Sequence, residues 1–113
     1  MNAQELLEAA AERIDQFGWK KGAQGLNHRP DSPACVLDSL GFVLYGTGGL
    51  DSGQEFAHAM GTCNLLLEQV LREHHGWHHG VVHWNDTVCD GGAQAADLCR
   101  LAAKEAANER GQA

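Results

Sequence analysis

Three side chains that could carry out nucleophilic chemistry occur in the order cysteine, histidine, asparagine. They are Cys35, His83 and Asn85. A cysteine in the first turn of a helix has its thiolate stabilised by the helix dipole, and a histidine can act as its base. Because triads are recognised by geometry and not by order, we favour a structural interpretation, with Cys35 in the core and Asn85 bonded to backbone groups of a turn. A small cysteine-dependent hydrolase is the alternative.

A cluster of five histidines is the second set of residues that could do chemistry. Some of its pairs are separated by three residues, which on a helix would place two imidazoles on one face, as in some zinc sites. Glycines interrupt such a helix, and no pair of cysteines completes a ligand set. Two candidate sets of metal ligands are left: His79 and His83 with His75, or His79 and His83 with Cys89. We expect no cofactor and only adventitious nickel or zinc binding at this cluster, which comprises His74, His75, His78, His79 and His83.

The helix that would carry Cys35 is expected to lie at the centre of the fold. Residues 33–46 are apolar on nearly every side of a helical projection, which is typical of a helix enclosed by others. Ser32 is a suitable N-cap and Pro33 fits the first helical position. This start would place Cys35 in the first helical turn.

Apolar residues at helical spacing predict three further helices, near 3–17, 52–75 and 92–109. Asn2 and Glu5 form a capping-box pair before the first of them, and Ser52 and Glu55 form another before the second. A capping box satisfies two backbone N–H groups that have no partner within the helix. The starts of these two helices are therefore well marked by the sequence.

A Gly-Trp pair follows two of the predicted helices. Glycine readily adopts the left-handed conformation that ends a helix, and the next apolar residue often packs back on the last turn. We therefore expect Trp19 to fold back on Ile14, and Trp77 to fold back towards Leu71.

The stretch 80–87 precedes the last helix, and we expect it to be an irregular connection. Trp84 would be buried between helices, where the short side chains of Asn85 and Asp86 would accept hydrogen bonds from backbone N–H groups. The glycine-rich stretch 46–53 lacks the Lys-Ser/Thr ending of a phosphate-binding loop. The predicted fold is all-α: one domain, residues 1–113, with four helices in a compact, partly orthogonal bundle and a buried second helix.

The charge of the chain limits its partners. Fifteen acidic and eight basic residues give a formal net charge of −7, which repels a phosphate backbone and favours a basic protein partner or self-association. No apolar run has the ~20 residues of a membrane span, and the first residues lack the pattern of a secretion signal. The four cysteines show no C-x-x-C spacing. We expect a cytoplasmic protein with reduced thiols that binds neither nucleic acid nor membrane.

Three short motifs span nearly the whole chain: Gly18-Trp19-Lys20-Lys21-Gly22, Cys35-Val36-Leu37-Asp38-Ser39-Leu40 and Trp84-Asn85-Asp86. Their order and spacing resemble the pattern G-W-x-x-G, C-x-x-G-A-L, W-N-D of an uncharacterised family of small proteins from actinobacteria and their phages. This chain departs from the pattern at Asp38 and Ser39, where the family has Gly and Ala, and it lacks a proline expected soon after the third motif. The resemblance implies no activity.

The function that we expect is that of a non-enzymatic interaction or regulatory module. The sequence contains no paired-carboxylate site, no phosphate loop and no firm metal set. A phage origin with a host protein as the partner is one form of this expectation. The rivals are the cysteine hydrolase and a metal-binding module built on the histidines.

Overall fold

All the regular secondary structure in the described part of the protein is helical. A computed structural model describes residues 2–22, 31–46 and 53–111. These residues form five α-helices and no β-strand. The helices are α1 Ala3–Phe17, α2 Val36–Gly46, α3 Gly53–His75, α4 Val81–Thr87 and α5 Gly92–Gly111. The all-α prediction is confirmed, whereas the glycine-rich link and the capping position of Ser52 lie outside the described residues.

The prediction of four helices is wrong, because the stretch expected to be irregular contains α4. This helix follows Gly80, which has a φ of 89°. Its buried residues are Val81, Trp84 and Asn85, at the spacing i, i+3, i+4. Seven residues are too few to show a helical period against the alternative of a short extended segment. The packing of this face against the rest of the protein stabilises the helix instead.

The first helix begins as the sequence predicts. The Asn2 side chain accepts a hydrogen bond from the Glu5 backbone N–H at 2.9 Å, and the Glu5 carboxylate accepts from the Asn2 N–H at 3.1 Å. Gly18 ends the helix with a φ of 96° and donates its N–H to the Ile14 carbonyl. The capping box is therefore confirmed.

Helices α1 and α5 form the most extensive helix pair in the described structure. The many alanines of α5 allow this close approach, since a small side chain keeps two backbones near each other. At the start of α5, a Cβ on Gly92 would lie 3.5 Å from the Trp19 Cβ and 3.6 Å from the Ile14 Cγ2. The apolar stripe of α5 is buried, and it comprises Ala95, Leu98, Cys99, Ala102 and Ala106.

The second helix starts later than the sequence predicts. Its first residue is Val36, and Cys35 takes the capping position, where its carbonyl accepts from the Ser39 N–H at 2.9 Å. Ala34 is held outside the helix because its N–H donates to the Gly18 carbonyl at 3.3 Å. The prediction that Cys35 lies in the first helical turn is thus wrong by one residue.

The first part of the second helix is buried on nearly every side, as predicted, because the consecutive residues 38–41 are all buried, whereas its C-terminal end is exposed. Leu40 and Leu44 are 0% and 2% exposed, whereas Tyr45 is 74% exposed. The Tyr45 ring packs edge to face with Phe56 of α3, with ring centroids 6.1 Å apart. The expectation that this helix is enclosed on nearly every side is therefore wrong at its C-terminal end. Within the described ranges, no helix combines the length and the apolar character needed to cross a bilayer.

A buried arginine, which sequence analysis missed, joins α1 to the start of α2. Arg13 is 7% exposed, and its Nη2 donates to the Ser32 carbonyl at 2.9 Å. The guanidinium also lies over the rings of Phe17 and Phe42, with its Cζ 5.3 and 4.6 Å from the two ring centroids. Burial lowers the pKa of Arg13, and the nearby Asp31 and Asp38 oppose this effect. Such contacts fix the entry of the chain into α2.

Candidate functional site

The W-N-D motif occupies the middle of α4, where Trp84 is completely buried. The Trp84 carbonyl accepts from both the Val88 and the Cys89 N–H groups, at 2.9 and 3.0 Å, which ends the helix. Its indole lies 5.8 Å from the His75 ring and has no hydrogen-bond partner among the described residues. Apolar packing is therefore the main interaction that the structure gives this ring.

Asn85 is the hydrogen-bonding centre of the motif and is 1% exposed. Its Oδ1 accepts from the Trp19 indole N–H at 2.7 Å and from the Val36 backbone N–H at 3.1 Å. Its Nδ2 donates to the Lys20 carbonyl at 3.2 Å and to the Asp86 Oδ1 at 3.0 Å. A side-chain amide has two donor hydrogens and two acceptor lone pairs, so Asn85 uses its full capacity. One side chain thus joins α4 to the segment after α1 and to the start of α2.

Asp86 holds Gly22, two residues further along the same segment. Its Oδ1 accepts from the Gly22 backbone N–H at 2.8 Å. This bond, followed by the one from Asn85, lowers the pKa of the Asp86 carboxyl. Gly22 has a φ of 87°, a conformation that other residues rarely adopt. The first and third sequence motifs, G-W-x-x-G and W-N-D, therefore meet in space.

Trp19 is held by contacts with distant parts of the chain. It pairs with Ala34 in an isolated parallel bridge and donates its indole N–H to Asn85. The Trp19 and Ile14 side chains both lie beside Gly92, and their predicted mutual contact stays a prediction. Gly18 has a ψ of 171°, which directs the chain away from the helix and not back along it. The Asn85 side chain, 66 residues away, decides the position of Trp19.

Trp77 does fold back as predicted. Gly76 has a φ of 61°, and the Trp77 N–H donates to the Leu71 carbonyl at 3.1 Å. The Trp77 indole N–H then donates to the Gly80 carbonyl at 2.9 Å. These bonds close the turn between α3 and α4 and orient the histidines that lie on it.

The environment of Cys35 opposes a nucleophilic role. The residue is 2% exposed, and its Sγ accepts from the Asp38 N–H at 3.4 Å. Burial raises the pKa of the thiol to about 11, although its hydrogen bond to Asp38 acts in the other direction. A reactive cysteine needs a lowered pKa and access to a substrate. Cys35 has neither property in this structure.

The other two members of the predicted triad do not complete it. Asn85 lies against the residue after Cys35, but its polar atoms are all used by the contacts described above. His83 is exposed and stacks on Trp77, with ring centroids 5.5 Å apart and planes inclined by 14°. Both residues are described in the structure, and no hydrogen bond joins the Cys35 thiol to the His83 imidazole.

The candidate metal ligands are spread around two tryptophans. His75 contacts Trp84, whereas His79 and His83 both contact Trp77 and have ring centroids 6.3 Å apart. Across the described ranges, no group of three His, Cys, Asp or Glu residues is placed to hold a metal ion. The metal-binding module stays an untested hypothesis on this geometry.

A groove lies beside the W-N-D motif. Its volume is about 420 Å³, and residues of α2, α3, α4 and the turn before α4 form its walls. Glu68 on one wall accepts from Asn64 at 3.0 Å. No local sequence pattern distinguishes Glu68 from the other polar residues of its helix. The groove is lined by Leu37, Asn64, Glu68, His79, Gly80, Val81, Val82, His83 and Asp86.

Comparison with known proteins identifies the family. No curated protein and no solved structure matches the chain. A family model described as a family of unknown function, DUF6197, matches residues 1–105. This match agrees with the resemblance to an uncharacterised family. The chain therefore belongs to DUF6197, a family of unknown function.

Proposed function

We propose that this protein is a non-enzymatic interaction module that binds a basic protein partner. The observation that supports the proposal is that the candidate catalytic groups are committed to the fold. Cys35 is buried with a raised pKa, and Asn85 uses every hydrogen-bonding position within the protein. The two side chains that the sequence offered as hydrolase residues therefore serve to hold the fold together.

The acidic surface supports a basic partner. The chain has a formal net charge of −7, and opposite charge on a partner accelerates association and selects against wrong partners. The same charge disfavours nucleic acid, because a phosphate backbone would be repelled. We place this interaction in the cytoplasm, since all four cysteines are free and buried, as is usual in a reducing compartment.

Affinity capture followed by reconstitution tests the proposal. The tagged protein is used to capture partners from a lysate of its native host, and each candidate is purified and titrated by calorimetry. A basic partner should bind with a dissociation constant that increases as salt screens the charges. If the protein hydrolyses a thioester or amide substrate and Cys35→Ser abolishes this activity, the proposal is refuted and the cysteine-dependent hydrolase becomes the better hypothesis.

A further inference from the structure

We propose that the groove between α3 and α4 binds an arginine side chain, flanked by apolar residues, from a basic partner segment. The inference deepens the proposed function, on which it rests, because it names the surface and the chemistry of the partner. Its basis is the combination of two carboxylates, an apolar floor and an imidazole face in one groove of about 420 Å³.

The two carboxylates supply charge complementarity. Among the described residues, both hydrogen bonds to Asp86 end on Oδ1, and none of them donates to Oδ2. Glu68 likewise accepts from Asn64 through Oε1. The planar guanidinium of arginine presents five N–H donors and can bridge two carboxylates, which a lysine ammonium does less well.

The remaining lining favours the same occupant. Leu37 and Val82 give the groove apolar surface, and Val82 is 40% exposed. His83 is held flat against Trp77, which fixes the orientation of its ring at the edge of the groove. Guanidinium groups stack on such flat rings, and apolar neighbours of the arginine would cover Leu37 and Val82.

The protein's own cations leave the groove carboxylates available. Arg72 lies one helical turn from Glu68, and Lys21 lies close enough to Asp86 to contribute to its lowered pKa. Among the described residues, neither cation forms an ion pair with these carboxylates. The titratable groups that line the groove are Glu68, Asp86, His79 and His83, and Lys21 adds a positive charge near Asp86.

The test uses the full chain labelled with ¹⁵N and a defined peptide probe. The peptide is Ac-Gly-Leu-Arg-Leu-Gly-NH₂, and matched peptides carry citrulline or lysine in place of arginine. We expect the arginine peptide to shift the amide resonances of groove residues, among them Leu37, Glu68 and Val82. The lysine peptide should bind more weakly, and the neutral citrulline peptide should bind at least about tenfold more weakly, since a hydrogen bond to a charged group is worth about that factor.

Two pairs of variants separate the groove from the general acidic surface. Glu68→Gln should raise the dissociation constant of the arginine peptide by about tenfold. Glu73→Gln, which removes the same charge from an exposed position of α3 outside the groove, should change it less than about twofold. Val82→Ser should weaken binding, whereas Val88→Ser, at a position of similar exposure outside the groove, should not.

The outcomes distinguish the inference from the proposed function. Equal effects of Glu68→Gln and Glu73→Gln, resonance shifts spread over the acidic surface, or no shifts at all would overturn the inference. So would a dimer in sedimentation velocity that Val82→Ser dissociates, because the groove would then hold a second copy of the chain. If a purified partner binds Glu68→Gln as tightly as the unchanged protein, the inference fails while the proposed function stands.

Discussion

Replacement of Asn85 by alanine should be among the most destabilising single changes outside the apolar core. The Asn85 side chain connects three segments, and its Oδ1 is the acceptor for the Val36 N–H and the Trp19 indole N–H. The variant removes this acceptor without supplying another. Because α4 would still bury Trp84, we expect the protein to fold with the two donors left without their partner.

The magnitude follows from the burial of those donors. Val36 is 0% exposed, and Trp19 is partly buried. A buried donor that loses its partner costs about 1–3 kcal/mol, so the two together should lower the free energy of unfolding by about 2–6 kcal/mol. The Lys20 carbonyl and Asp86 also lose a donor, but both are nearer to water and should add less. A domain of this size has roughly 5–15 kcal/mol of total stability, so the loss is large.

Urea unfolding followed by circular dichroism measures this loss. With a slope of roughly 1–3 kcal/mol per molar urea, the midpoint should fall by on the order of 1–3 M. Asn64→Ala is the control, because its side chain donates to Glu68 of the same helix, and we expect a change within about 0.5 kcal/mol. The ¹H resonance of the Trp19 indole N–H should also move in Asn85→Ala, since it loses its acceptor.

A loss below about 1 kcal/mol with an unchanged Trp19 indole resonance would refute this reasoning. It would mean that water replaces the amide oxygen without cost, or that the two N–H groups do not meet at Asn85 in solution. A large loss in both Asn85→Ala and Asn64→Ala would instead show that the assay reports a general sensitivity of the fold.

Four further predictions concern Leu40 in the core, the thiol of Cys35, the carboxylate of Asp86 and the removal of metal ions. Leu40→Ala should destabilise by about 2–5 kcal/mol in urea melts, because Leu40 is 0% exposed, and a change under ~1 kcal/mol would show that the site collapses without cost. Cys35 should react with iodoacetamide at pH 8 far more slowly in the folded protein than in urea, as followed by mass spectrometry, because burial raises its pKa to about 11; rapid labelling of the folded chain would contradict this. Asp86→Ala should cost on the order of 1–2 kcal/mol near neutral pH. The pKa of Asp86 is lowered in the folded protein, so its contribution to stability is present above the ordinary pKa of about 3.9 and is lost as the pH falls through the folded pKa. The difference in free energy of unfolding between the unchanged protein and Asp86→Ala should therefore decrease in acid. A difference in urea melts that does not change with pH would show that the ionised carboxylate is not the stabilising group. EDTA should leave the midpoint of thermal unfolding unchanged in calorimetry. A fall of several degrees would instead favour the hypothesis that the protein is a metal-binding module.

Local sequence signals predicted the long helices well. The Asn2–Glu5 pair predicts the start of α1, and the stripe through Cys63, Leu67 and Leu71 predicts the buried face of α3. These signals succeed because capping and amphipathic periodicity act over one to several turns, within a short length of chain. The stop at Gly76 and Trp77 belongs to the same class, since every group in it lies within two turns.

The start of α2 and the existence of α4 could not be derived in that way. Ser32 and Pro33 form a good local start signal, but the bond from Ala34 to Gly18 and the contact of Arg13 with Ser32 hold this stretch in another conformation. Their partners lie far away along the chain, so no window of sequence contains both sides of the interaction. Tertiary contacts therefore overrule a local preference of about 1 kcal/mol.

The helical fold class, the acidic charge and the membership of an uncharacterised family could all be predicted without the structure, because composition, periodicity and motif order are properties of the amino-acid sequence. The roles of the motif residues, in contrast, became visible only in the folded protein. Asn85 looked like a member of a catalytic triad, yet it is a buried centre of four hydrogen bonds, and Glu68 looked like an ordinary surface residue, yet it lines the groove. The reason is physical: burial, pKa and the direction of a hydrogen bond depend on groups that folding brings together from distant positions, and a sequence read in order does not contain those distances.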